Sequence, residues 1–209
     1  MLNIKPGFQE KSERISMSNS TSNYKTIEDF MLQPEDSRAE LIDGKFYPKM
    51  LPSGDHSYAE GKLYLLIASH FFQKFNSSDS TGGWWILPEL SIYYPKSERI
   101  LTADIAGFKR TNTPERPKGY PVKNTPDWIC EVCYSTKKKD TTIVPETLAS
   151  QGVEWYWLMD LKDENLQVWH LNENKKFELT QSLFKDDEKK RIFPFDAIEI
   201  EMKYLLGEE

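Results

Sequence analysis

Cysteine and histidine are scarce in this 209-residue chain, with two of the first and three of the second. Two cysteines exclude a disulfide framework. Cys130 and Cys133 have the Cys-x-x-Cys spacing of redox and zinc sites, but on a strand residues three apart point to opposite faces and share neither a bond nor a ligand. A zinc site also needs two further ligands, and only His56, His70 and His170 are on offer; buried, inert strand cysteines are the expectation. No run approaches the roughly 20 apolar residues that span a bilayer, so no membrane partner is expected. Met1-Leu2-Asn3-Ile4-Lys5-Pro6 lacks the apolar core of a signal peptide, and a cytoplasmic location is expected. Ten dispersed glycines form no phosphate-cradling loop, and no serine or cysteine sits in a nucleophile elbow. The net charge of −6 argues against unaided nucleic-acid binding.

What is present is a globular composition, 38% hydrophobic with 13% aromatics. A polar, serine-rich stretch over 1–23 reads as a disordered tail, leaving 24–209 as one domain. Thr26 predicts an N-cap for a short helix over Ile27 to Leu32, and Asp43-Gly44 predicts the turn of a hairpin over Glu40 to Tyr47. Leu63, Leu66, Ile67 and Phe71 recur at helical spacing and predict a helix over Ser57 to Phe75. Trp84 to Tyr94, Ala103 to Phe108 and Asp127 to Cys133 read as strands, the last central and apolar, with a proline-rich loop from Arg110 to Pro126. A helix from Pro145 to Gln151, capped by Gly152, precedes strands at Val153 to Met159 and Leu166 to Leu171, and the remainder, with an apolar end at Ile198 to Leu206, is expected to close the sheet. This order predicts an α/β (α+β) fold with a mixed sheet flanked by helices. Alternating tryptophans such as Trp155 and Trp157 read as packing, not as base-stacking platforms.

Three acidic residues stand in strand-like apolar text: Glu40 in Glu-Leu-Ile-Asp-Gly-Lys, Asp104 in Ala-Asp-Ile-Ala, and Glu131 in Trp-Ile-Cys-Glu-Val. Buried carboxylates need compensation, and a shared cation is a common solution. Asp104 and Glu131 lie on two predicted strands; if these are neighbours, both reach one Mg2+ or Mn2+, which takes hard oxygen ligands and serves phosphodiester cleavage. The alternative is that each carboxylate pairs or caps locally. From Lys109 to Lys139 eight basic residues face three acidic ones, a flank that suits a phosphate-containing substrate.

Tyr24-Lys25-Thr26-Ile27-Glu28-Asp29-Phe30, Glu40 to Lys45, Pro52-Ser53-Gly54-Asp55-His56, Ala103 to Ala106, Pro126 to Val132 and Gly152 to Asp160 occur in an order that resembles the Uma-two family, grouped with restriction endonucleases of the PD-(D/E)XK superfamily. The match runs over roughly 24 to 206. The resemblance implies a restriction-endonuclease-like mixed sheet, a DNA substrate, a divalent metal and a possible homodimer. It makes Asp104 and Glu131 the metal-binding pair, adds the carbonyl of Val132 to the metal shell, gives Glu40 an assisting role, and places His56 where the family often has histidine, with a surface or N-cap role as the alternative.

The resemblance also exposes departures. Cys133 holds the place of the superfamily lysine two residues after Glu131, and Val144 and Leu148 stand where the family has a lysine and a tyrosine on the following helix. Lys137, Lys138 or Lys139 is then expected to substitute, with a solvated basic loop as the other role for them. Three functions remain open: a metal-dependent endonuclease, a catalytically degenerate nuclease fold kept for binding or dimerisation, and a phosphoesterase acting on small molecules.

Overall fold

The computed structural model describes residues 24–34, 37–134 and 138–208; the expected tail over 1–23 lies outside the described residues, and so does Lys137. Helix α1 (Ile27–Met31) starts at Thr26, whose side chain accepts the Asp29 N–H while Asp29 accepts the Thr26 N–H. Strands β1 (Ala39–Ile42) and β2 (Lys45–Pro48) form the expected hairpin. Asp43 and Gly44 both take positive φ, 49° and 71°, as a two-residue turn matched to strand twist requires.

Helix α2 (Gly54–Phe71) begins three residues before the expected start and ends four before the expected end. Ser53 Oγ caps the His56 N–H, which carries the helix back over His56. At the other end the N–H groups of Gly82 and Gly83 take the carbonyls of His70 and Gln73 and draw the chain away.

Strands β3 (Trp84–Tyr94) and β4 (Arg99–Lys109) form a long antiparallel pair. With β3 along one edge of β4, the other edge is shared in tandem: β1 pairs at Ile100, and β5 (Trp128–Cys133) pairs from Ile105 to Gly107. Between these partners, from Thr102 to Asp104, β4 lacks a ladder neighbour on that side. The β3 ladder is interrupted at the same level, where Glu89 takes φ 47° and its pairing with Asp104 is missing. Such irregularities re-aim side chains.

A single π-helical turn (Lys139–Ile143) runs into α3 (Val144–Gln151), which ends on Gly152 in the left-handed conformation. Strand β6 (Trp155–Asp160) then pairs parallel to β5, followed by the antiparallel β7 (Asn165–Leu171) and β8 (Phe177–Phe184). The result is the expected mixed sheet, in the order β2-β1-β4-β5-β6-β7-β8 with β3 on β4.

One apolar core lies between the sheet and α2, whose Ala59, Leu63, Ile67 and Phe71 recur every four residues. A second lies under α3, through Val144 and Leu148, and a smaller third packs Phe30 of α1 with Leu41 and Ile100. Cys130 belongs to the first core and Cys133 to the second, opposite faces as the spacing requires. Trp128 and Trp157 are fully buried, and together with Trp84 and Phe71 they surround Phe195 at ring distances of 4.8–5.7 Å.

The remainder of the chain closes the sheet as expected, but through β8 and not through its apolar end. Ile198 to Leu206 forms strand β10 (Glu199–Ile200), paired with β9 (Lys190–Arg191), and then helix α4 (Met202–Leu206). Gly207 in the left-handed region caps that helix, and Met202 and Leu205 bury into the α2 core instead.

Candidate active site

The gap along β4 leaves buried backbone donors that need partners. Two carboxylates supply them. Glu40, projecting from β1, accepts the Thr102 N–H at 2.9 Å, and Asp104 accepts the Val132 N–H at 2.7 Å. Both are buried, at 2% and 1% exposure. Continuing the β4–β5 register by one step sets Asp104 opposite Glu131, so the two predicted strands are neighbours. Asp127 and Cys133 turn their carbonyls toward β6, which directs the peptide groups of the even-numbered residues, Val132 among them, toward β4 and the gap.

Around this gap opens a cleft of about 540 Å3, lined by Glu40, Lys49, His56, Asp104, Glu131, Val132, Cys133, Lys139 and Asp140 among others. The structure thus gathers Glu40, Asp104, Glu131, Val132, His56 and Lys139 about one opening, while Lys138 is exposed and does not line it. Lys139 Nζ meets both oxygens of Glu40, at 2.8 and 2.6 Å. His56, carried on the first turn of α2, reaches Asp104 Oδ2 with Nε2 at 3.4 Å. It is therefore neither the N-cap, which is Ser53, nor a surface residue.

Two residues of the site escaped the reading from sequence, Lys49 on the cleft wall and Glu60 beside His56. Lys49, just past β2, places Nζ 2.6 Å from Asp104 Oδ1 and 2.8 Å from the Thr102 carbonyl. Glu60, one helical turn after His56, lies 3.5 Å from His56 Nδ1. One donor atom each from His56, Glu60 and Asp104 lies within 4.8 Å of the others. Faint signals existed for both: Lys49 is the lone charge in Pro48-Lys49-Met50-Leu51-Pro52, and Glu60 interrupts the apolar stripe of α2.

The cleft is electrostatically divided. Burial alone pushes the Asp104 carboxyl up, but His56, Lys49 and the Val132 N–H together outweigh it and hold the group at about 2. Burial, and then the Asp104 charge, push Glu131 well above the usual carboxylate range. Glu60 is raised to about 7, first by burial and then by Asp104 and Glu89. His56 is raised chiefly by its bond to Asp104. Lys49 and Lys139 are desolvated, yet the surrounding carboxylates raise both. Burial lifts the Cys133 thiol to about 12, so it stays neutral and supplies no charge.

Five carboxyl groups (Glu40, Glu60, Asp104, Glu131, Asp140) thus meet two ammonium groups and one imidazole in and beside the cleft. Two of the carboxyls are held back from ionising. A hard divalent cation fits this donor set, because it would compensate the excess of buried oxygen acids.

A family model described as "Putative restriction endonuclease", Uma2, matches residues 24–199. The chain belongs to this family. A crystal structure of a putative nuclease of the DUF820 group from Anabaena variabilis superposes with a TM-score of 0.67 at 20% identity, covering 87% of this chain and 97% of that one; at that identity the likeness shows the fold. No curated protein matches the chain. Within the matched range, Asp104, Glu131 and Glu40 line one cleft.

Proposed function

We propose that the protein is a divalent-metal-dependent endonuclease that hydrolyses DNA phosphodiester bonds in this cleft. The observation that carries the reading is the meeting of Asp104 and Glu131 on neighbouring strands at a gap in the sheet, beside Glu40 and under the His56–Glu60 turn of α2. Asp104, Glu131 and the Val132 carbonyl would hold Mg2+ or Mn2+. When bound, the ion supplies Lewis acidity, acidifying an attacking water and neutralising charge on the phosphate.

The chain's own groups do the rest. Glu40, fixed between the Thr102 N–H and Lys139, assists at the cleft wall. Lys139 holds that carboxylate in place through contacts to both of its oxygens. His56 holds a proton beside Asp104 Oδ2 and orients that carboxylate. Family membership supports DNA as substrate. The basic stretch from Lys109 onward supports it further, with Lys118 and Lys123 exposed.

A second reading has its own support. Lys49 already engages Asp104 Oδ1, and Val132 and His56 engage Oδ2. A cleft neutralised from within suits a degenerate fold kept for binding or dimerisation. Incubating supercoiled plasmid with native protein and with Asp104→Asn, in Mg2+ or Mn2+, separates the two. Nicking by the native protein alone supports the nuclease; no nicking by folded native protein across metals and salt concentrations supports the binding module.

A further inference from the structure

Among the described residues, the cationic side chains lining the cleft are Lys49, His56 and Lys139. Their attachments differ. Lys139 directs both of its ion-pair contacts at Glu40, the carboxylate that satisfies Thr102 N–H, so its work is to hold the wall. Lys49 instead touches Asp104, the residue at the centre of the cleft, and reaches it from the opposite hairpin, across the gap from β5. Its side chain is only 12% exposed, and what remains open faces the cleft. An ammonium has three donors; the Thr102 carbonyl and Asp104 Oδ1 take two, which leaves one for a phosphate oxygen. Cys133, on the same face of β5 as Glu131, is neutral and has no such donor to offer.

We propose that Lys49 is a catalytic residue of this cleft: its ammonium occupies Asp104 while no cation is bound, and turns to the substrate's scissile phosphate when Asp104 is given over to a divalent ion. The inference rests on the nuclease reading above and adds the group that carries positive charge to the transition state. In the reaction a bond forms between phosphorus and the oxygen of water, and the ester bond to the leaving oxygen breaks. The proton of water ends, in the net balance, on the leaving oxygen. Lys49 transfers no proton. It stabilises charge on the non-bridging oxygens, the kind of preorganised stabilisation that is worth most in a water-poor site. Its tether explains the geometry: residue 49 directly follows β2, and β1–β2 is held to β4 through Leu41 and Ile100, so the ammonium is positioned by the sheet and not by a free loop. A point charge on a flexible stem suits such an exchange between two anions better than a rigid fork does.

The test uses the full chain and two variants. Lys49→Gln keeps an amide donor for the Thr102 carbonyl and removes the charge; Lys49→Arg keeps the charge. Mn2+ affinity is read by calorimetry, and plasmid nicking at saturating Mn2+ is read as kcat and KM, with thermal melts to verify folding. The expected result for K49Q is Mn2+ binding about tenfold tighter, because the competing ammonium is gone. Its kcat should fall at least about a hundredfold with little change in KM, and K49R should recover part of that loss. Native-rate nicking by K49Q overturns the inference while leaving the nuclease reading intact. So does weaker Mn2+ binding by K49Q, which would make Lys49 a builder of the site and not a competitor for it. Native protein that binds Mn2+ and does not nick overturns the nuclease reading, and the inference with it.

Discussion

At Asp104 two demands meet in one side chain. The carboxylate fills backbone valences that the split sheet leaves open, and it anchors a charged network of Lys49 and His56. Asp104→Ala is therefore a poor probe of function, since it strands a buried lysine, at a cost of roughly 3–5 kcal/mol. Asp104→Asn retains an oxygen for the Val132 N–H; it should stay folded in thermal melts and lose at least about a hundredfold in nicking rate. The two neighbouring acids respond to pH in opposite directions. Asp104, held at about 2, contributes stability that is full above pH 4 and disappears as pH falls through its folded value. Glu60, raised to about 7, contributes stability that is full below pH 4.5 and disappears as pH rises through 7. In metal-free buffer Glu60→Gln should therefore gain stability relative to native as pH climbs from 4.5 to 8, by about 1–3 kcal/mol. A difference in melting temperature that stays flat over that range would contradict the assignment.

The elements around the site were unevenly legible. The Asp43-Gly44 turn could be placed because two positive φ values are needed and few residue pairs accept them. The cysteines could be placed on opposite faces because strand geometry permits nothing else. Asp104 and Glu131 stood out as charges inside apolar strands. Lys49 and Glu60 did not, because what makes them part of the site is a fold that brings residue 49 to within a hydrogen bond of residue 104. No local pattern encodes that distance. The end of the chain misled for a related reason: Ile198 to Leu206 is apolar enough for a strand, and only the packing of Met202 and Leu205 on α2 makes part of it a helix. Packing beneath the site gives a further prediction at this scale. A Cβ on Gly107 would lie 2.9 Å from Trp128 and 3.3 Å from Trp84, so Gly107→Ala should destabilise by about 1–3 kcal/mol in denaturant melts. Phe195→Ala, which empties the centre of the aromatic cluster, should cost about 3–5 kcal/mol.

For the molecule as a whole, charge is unevenly shared. The net −6 opposes DNA at long range, while Lys118 and Lys123 offer exposed positive charge in the loop before β5. Replacing both with glutamine should weaken DNA retention at every sequence tested. It should also flatten the dependence of log affinity on log salt by up to about 2, near one for each phosphate that a lysine no longer neutralises. No helix of the described residues is long and apolar enough to cross a membrane.

If the surplus carboxyl groups of the cleft form a cation site, divalent binding must strip protons from acids that are protonated without it, Glu131 first and Glu60 in part. Calorimetric titration of Mn2+ into native protein at pH 7, in buffers of different ionisation enthalpy, counts those protons directly. A cation site at Asp104 and Glu131 should give saturable binding with net proton release, both lost in Glu131→Gln. Absence of binding, or binding with no proton release that survives Glu131→Gln, would contradict it.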